Sequence, residues 1–135
     1  MSSKPSKGLN PKTVFSSIDH KGRYSFSNQE IICHWNISRF AETLIPLLAD
    51  NEDKAIKVGS KIINKFIDKF KYKWISMMKN KLGFIGNFPE DEIFIKKILS
   101  WMEVNKADYT NTFIFLMNPT FSSEGIYKSK SFVDL

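Results

Sequence analysis

Three side chains in the sequence could act as soft metal ligands or as a nucleophile with its base: His20, Cys33 and His34. One cysteine and two histidines do not complete a four-ligand zinc site. Neighbouring residues of a helix point about 100° apart, so Cys33 and His34 cannot face each other as a nucleophile–base pair. The sequence therefore predicts no catalytic, cofactor-binding or metal-binding residue here, and Cys33 is interpreted as a small core residue.

Asp19 and Arg23 lie on either side of Gly22 in a segment with the composition of a turn. Two interpretations are open at this point. The two residues could form a local ion pair or a turn cap, or they could shape a loop that positions a phosphate or another catalytic loop.

Charged residues cluster in two further places. The acidic run Glu90-Asp91-Glu92 follows Pro89, as is typical of a helix start. A series of lysines recurs at helical spacing and indicates either a solvated face or a docking surface for an acidic partner. Its members are Lys54, Lys57, Lys61, Lys65 and Lys73.

Composition narrows the class of protein. The 135 residues carry a net charge of +6, and 14% are aromatic, which excludes a wholly disordered chain and suits one domain. Only two basic residues are arginines, so we expect a lysine-rich surface and no nucleic-acid partner. No apolar stretch is long enough for a membrane span, and no secretory signal is visible. A single cysteine favours a reducing, cytoplasmic compartment.

The elements expected to position these residues are mainly helical. Apolar residues at three- and four-residue steps predict helices over about 29–48, 52–82, 89–104 and 108–117. Asn28, Asn51 and Asp108 are the expected N-caps, and Pro46 should stop or kink the first helix. Residues 1–9 are expected to form a loose leader, residues 10–28 an irregular loop, and residues 118–135 a frayed tail. A helix as long as 52–82 is unusual and could be broken internally.

Four ordered stretches resemble blocks of the SelO/YdiU family. They are NPKTVFSSIDHKGRYSFSNQ at 10–29, WNISRFAETL at 35–44, MKNKLGF at 78–84 and DYTNTF at 108–113. The resemblance covers about residues 10–117. Ile114 departs from it, because the family usually has arginine after the last block.

The resemblance implies a mainly α fold equivalent to part of the C-terminal lobe of a protein-kinase-like enzyme. Members of the family transfer AMP from ATP to Ser, Thr or Tyr hydroxyls of protein substrates, with Mg²⁺ or Mn²⁺. Their catalytic and metal-binding blocks do not match any segment here, so the chain alone is expected to be inactive and to bind neither ATP nor metal.

Its partner would be a separately encoded N-terminal kinase-like piece. The alternative is a non-catalytic helical interaction module. Bacterial relatives are cytoplasmic and eukaryotic ones mitochondrial, although no transit peptide is visible.

The resemblance also singles out seven positions beside the expected activation segment. We expect them to brace the active-site loops, with stabilisation of the fold alone as the alternative. They are Asp19, Arg23, Tyr24, Asn28, Gln29, Trp35 and Asn36.

Overall fold

The computed structural model describes residues 8–118 and 125–135, and these residues are mainly α-helical, with no β-strand among them. The helices are α1 (Gln29–Leu48), α2 (Glu52–Ile63), α3 (Phe66–Leu82), α4 (Asp91–Val104), α5 (Tyr109–Met117) and the short α6 (Lys130–Val133). Two 3₁₀ turns cover Phe26–Asn28 and Gly125–Lys128. Within the described residues, no helix is long and apolar enough to cross a membrane.

The helices fall into two compact units. The N-terminal unit comprises residues 11–74, and the described part of the C-terminal unit comprises residues 8–10, 75–118 and 125–135. The boundary falls within α3, after Trp74.

In the N-terminal unit, α1 packs against α2. Ile32 of α1 and Ala55 of α2 are buried, and Gly59 lies close enough that a Cβ there would be 3.5 Å from Leu48 Cδ1. The Asn51 side chain accepts a hydrogen bond from Lys54 N at 3.0 Å, which confirms the expected N-cap of α2. Pro46 lies inside α1, and the helix ends two residues later, as predicted.

Residues 52–82, predicted as one long helix, form the two helices α2 and α3. The α-helical pattern is interrupted at Asn64 and Lys65, where Lys65 N donates to Ile62 O three residues back at 3.2 Å. Such i→i+3 bonds tighten a helix end. Beyond the break, Phe66 packs beside His34 of α1, with ring centroids 6.1 Å apart.

The C-terminal unit has its own core. Met78 of α3, Ile95, Ile98 and Met102 of α4 are fully buried, and Phe113 of α5 is almost so. Asp108 caps α5 as predicted, because its carboxylate accepts from Asn111 N at 2.8 Å. Helix α4 begins at Asp91 rather than at residue 89, since Pro89 and Glu90 form a preceding turn.

The prediction of a frayed tail is wrong for residues 125–135, while residues 119–124 lie outside the described part of the chain. Tyr127 and Phe132 are buried against Trp101, with ring centroids 5.9 Å and 4.8 Å from the indole. The indole N–H also donates to Ser131 Oγ at 3.0 Å. Burial of aromatic rings on α4 thus outweighs the polar composition of the segment.

Residues 8 and 9 of the predicted loose leader are ordered, because they contact residues 106 and 107. Leu9 N donates to Ala107 O at 2.7 Å, and Gly8 runs so close to Lys106 that a Cβ on it would be 1.9 Å from the Lys106 carbonyl oxygen. Only glycine fits that approach. Residues 1–7 lie outside the described part of the chain.

Candidate functional site: a cationic cavity beside a capped loop

The loop before α1 is organised by the Asp19 carboxylate. Its two oxygens accept hydrogen bonds from the backbone N–H groups of Arg23, at 2.7 Å, and Tyr24, at 2.9 Å. Of the two local roles considered from the sequence, Asp19 is therefore a turn cap and not half of an ion pair, because its carboxylate is bonded to the backbone. The Arg23 guanidinium is therefore available for contacts other than Asp19.

Gly22 sits at the centre of this turn with φ of +62°. That left-handed conformation suits glycine, because a Cβ would be strained there. The Gly22 carbonyl accepts from Ser25 N at 3.1 Å and from Asn28 Nδ2 at 2.8 Å. The Asn28 side chain is thus used to hold the turn and makes no capping bond to α1, contrary to the predicted N-cap role.

Gln29, the first residue of α1, completes the attachment of the loop. Its Nε2 donates to Tyr24 O at 2.8 Å and to Ser25 O at 3.3 Å. Side chains of Asp19, Asn28 and Gln29 therefore fix the backbone of residues 22–25 against the start of α1. Of the seven predicted bracing positions, Asp19, Asn28 and Gln29 hold this loop with their side chains. That the seven brace an active site stays a prediction.

Trp35 lies two turns into α1 and is 48% exposed. The Arg23 guanidinium carbon lies 5.6 Å from the centroid of its ring, and that of Arg39 lies 5.8 Å away. Both distances fit cation–π contacts. Arg39 is also paired with Glu42 at 2.5 Å. Asn36 is exposed and takes no part in this set of contacts.

A cavity of about 340 Å³ opens between the turn and α1. Lys21, Arg23 and Asn28 line it from the loop, and α1 contributes Ile31, Ile32 and Trp35. Two cations, an aromatic face and apolar walls, with no carboxylate among them, can accept an anionic group that carries an apolar portion.

The cavity includes three residues that the motifs did not single out: Lys21, Ile31 and Ile32. The signal was in the spacing, because residues 28, 31, 32 and 35 recur at the three- and four-residue steps of one helix face.

Of the three soft ligands, His20 lies in the loop, and Cys33 and His34 lie on α1. Cys33 is only partly buried, so its interpretation as a core residue is wrong. His34 contacts Phe66. In residues 8–118 and 125–135, no group of three or more His, Cys, Asp or Glu side chains is placed to hold a metal ion.

The acidic run at the start of α4 serves a local structural role. Lys79 Nζ pairs with Asp91 Oδ2 at 2.6 Å, donates to Asn87 Oδ1 at 2.7 Å and also donates to the Gly86 carbonyl. Phe88 N donates to the same Asp91 oxygen at 3.0 Å. The hydrogen bond from Lys79 and the one from Phe88 lower the pKa of Asp91 below its ordinary value of 3.8. This buried pair holds the 83–90 loop between α3 and α4.

Comparison with known proteins agrees with the motifs. The family model described as protein adenylyltransferase SelO matches residues 7–134, which extends beyond the predicted span at both ends. A relative from Pelagibacter ubique, named protein nucleotidyltransferase YdiU, is 52% identical over 122 residues, 90% of this chain and 25% of that protein. Relatives of the same name from Nitrosococcus oceani and Alcanivorax borkumensis are 47% and 44% identical, over 90% and 92% of this chain.

The chain spans about a quarter of the length of these curated relatives. The family assignment rests on a match to nearly every residue and on identity near one half. The chain therefore belongs to the SelO (YdiU) family.

Proposed function

We propose that this chain forms part of the kinase-like C-terminal lobe of a SelO-type protein adenylyltransferase, which transfers AMP from ATP to hydroxyl groups of proteins. The observation that carries the proposal is the family match over residues 7–134. The loop at residues 19–29 supports it, because that loop falls in the stretch where the resemblance expects the activation segment.

The contribution of this chain is positional. Asp19, Asn28 and Gln29 fix the loop backbone. A loop that is already ordered loses little conformational entropy when a substrate binds. Lys21 and Arg23 add positive charge at the same place, which would attract anionic groups of a substrate.

ATP and Mg²⁺ or Mn²⁺ are assigned to the longer family protein. The described residues do not fit a divalent ion, because their carboxylates do not come together in the cluster that such an ion needs. On its own the chain is expected to transfer no AMP, and we propose that it acts together with the N-terminal kinase-like part of the family protein.

A segment exchange tests the proposal. Residues 10–117 would replace the matching segment of the Pelagibacter ubique relative, and transfer of AMP from α-labelled ATP to total cell protein would be measured with Mg²⁺ or Mn²⁺. We expect the exchanged protein to retain transfer and the isolated chain to show none. A folded exchanged protein without transfer, beside an active parent, would favour the non-catalytic helical module instead.

A further inference from the structure

We propose that the cavity between the Lys21–Arg23 turn and α1 binds an acidic peptide segment. A carboxylate side chain would lie between Lys21 and Arg23, and an apolar neighbour would pack on Ile31 and Trp35. The inference rests on the proposed function in one respect: it takes the peptide to be part of a protein substrate.

Charge complementarity is the first argument. Lys21 and Arg23 are exposed, and neither forms an ion pair within residues 8–118 and 125–135. The nearest acid along the chain, Asp19, has both oxygens bonded to backbone N–H groups. Arg39, by contrast, already has Glu42 as a partner. The cavity therefore presents two cations that have no ion-pair partner among the described residues.

The presentation of Arg23 is the second argument. Its backbone is held by the bond to Asp19, and its guanidinium lies over the Trp35 ring at 5.6 Å. A guanidinium stacked on an aromatic face keeps N–H donors at its edge, where they match the two oxygens of a carboxylate. Because both ends of the side chain are restrained, less conformational entropy is lost on binding.

The apolar wall and the open form of the cavity favour a peptide over a small molecule. Ile31 is 69% exposed and Trp35 48%, so both offer apolar surface to a partner. Small-molecule sites usually enclose most of the ligand surface, about 70–90%. This cavity is open to solvent, which suits side chains projecting from a segment that passes over it.

Two blocked hexapeptides test the proposal on the full chain. One has the sequence Gly-Phe-Glu-Glu-Phe-Gly, and the other has glutamine in place of both glutamates. Binding is followed by NMR through the Trp35 indole N–H. We expect the acidic peptide to shift this signal and the neutral one to leave it unchanged. Raising the salt from about 50 to about 300 mM should weaken the binding several-fold, since exposed charges are screened.

Variants locate the site. R23Q and K21Q should each weaken binding of the acidic peptide about fivefold, the size of an exposed charge pair. R23K keeps the charge and should bind more tightly than R23Q. The matched control is K57Q, because Lys57 is an exposed lysine of α2 outside the cavity. Circular dichroism verifies that each variant is folded. If R23Q is not folded, peptide binding by R23K is compared with that of the wild type instead.

Four outcomes would overturn the proposal: no shift with the acidic peptide, equal binding of the neutral peptide, equal weakening by K57Q, or an equally strong Trp35 shift with AMP. The last would mean that the site takes a small anion. None of these measurements involves AMP transfer. A failed segment exchange and a failed peptide titration are therefore separate results.

Discussion

Gly22 is the residue on which the geometry of the candidate site depends most directly. G22A should destabilise the protein by about 1–2 kcal/mol, because its φ of +62° is costly for an L-residue. Gly59 offers a matched control inside α2, where a Cβ would make only an ordinary contact at 3.5 Å. G59A should stabilise by about 0.5–1 kcal/mol. Urea unfolding measures both, and equal signs would contradict the account of the turn.

The pair of Lys79 and Asp91 makes stability depend on pH. Because the folded pKa of Asp91 is lowered, its contribution is fully present above the ordinary value of 3.8 and is lost as the pH falls through the folded pKa. The urea midpoint of the wild type should therefore fall more than that of D91N between about pH 5 and about pH 2.

A matched lysine pair tests whether burial is the cause. Lys79 and Asp91 side chains are 9% and 11% exposed, whereas those of Lys96 and Glu92 are 69% and 29% exposed. K79M should lower stability clearly, because it leaves a carboxylate buried without its partner. K96M should change it by less than about 1 kcal/mol. Equal effects would show that the 83–90 loop does not depend on the buried pair.

The short helix α6 depends for its stability on contacts with residues distant in the sequence. F132A should cost about 3 kcal/mol, since Phe132 is 8% exposed and packs on Trp101 and Tyr127. The neighbouring Val133 is 75% exposed, and V133A should stay within about 0.5 kcal/mol. Thermal unfolding followed by Trp fluorescence compares the two. A null effect of F132A would mean that the tail is not docked.

The helices also show where the local sequence is sufficient to predict an element and its bounds. Helices α1 and α5 are predicted with nearly their observed bounds, because apolar spacing, Pro46 and the Asp108 cap are all local signals. The tail escapes prediction because its order comes from Trp101, about 30 residues earlier. The break at Asn64 likewise carries no proline or glycine that would place it.

The sequence also predicts part of the candidate site, but not all of it. The resemblance identifies Asp19, Asn28 and Gln29, and the structure joins them in one hydrogen-bonded loop. It does not identify Lys21, because a lysine in a turn is ordinarily a solvated residue. Asn28, which lines the cavity, bonds to Gly22 instead of capping α1, and the local sequence does not indicate this exchange.

For the molecule as a whole, both units expose large apolar side chains. Phe15 and Ile18 are 85% and 86% exposed in the N-terminal unit, and Ile85 is 90% exposed in the C-terminal unit. Surfaces of this kind promote association when nothing covers them. We expect the isolated chain to self-associate, with a sedimentation coefficient that rises with concentration. A monomer that melts sharply at every concentration would contradict this.

We propose that this chain supplies a lobe segment to a nucleotide-binding protein about four times its length. Calorimetric titration of ATP with Mg²⁺ tests it most directly, on the isolated chain and on the Pelagibacter ubique relative carrying residues 10–117 in place of its own segment. We expect binding heat from the exchanged protein and none from the isolated chain. Binding by the isolated chain, or none by a folded exchanged protein, would contradict it.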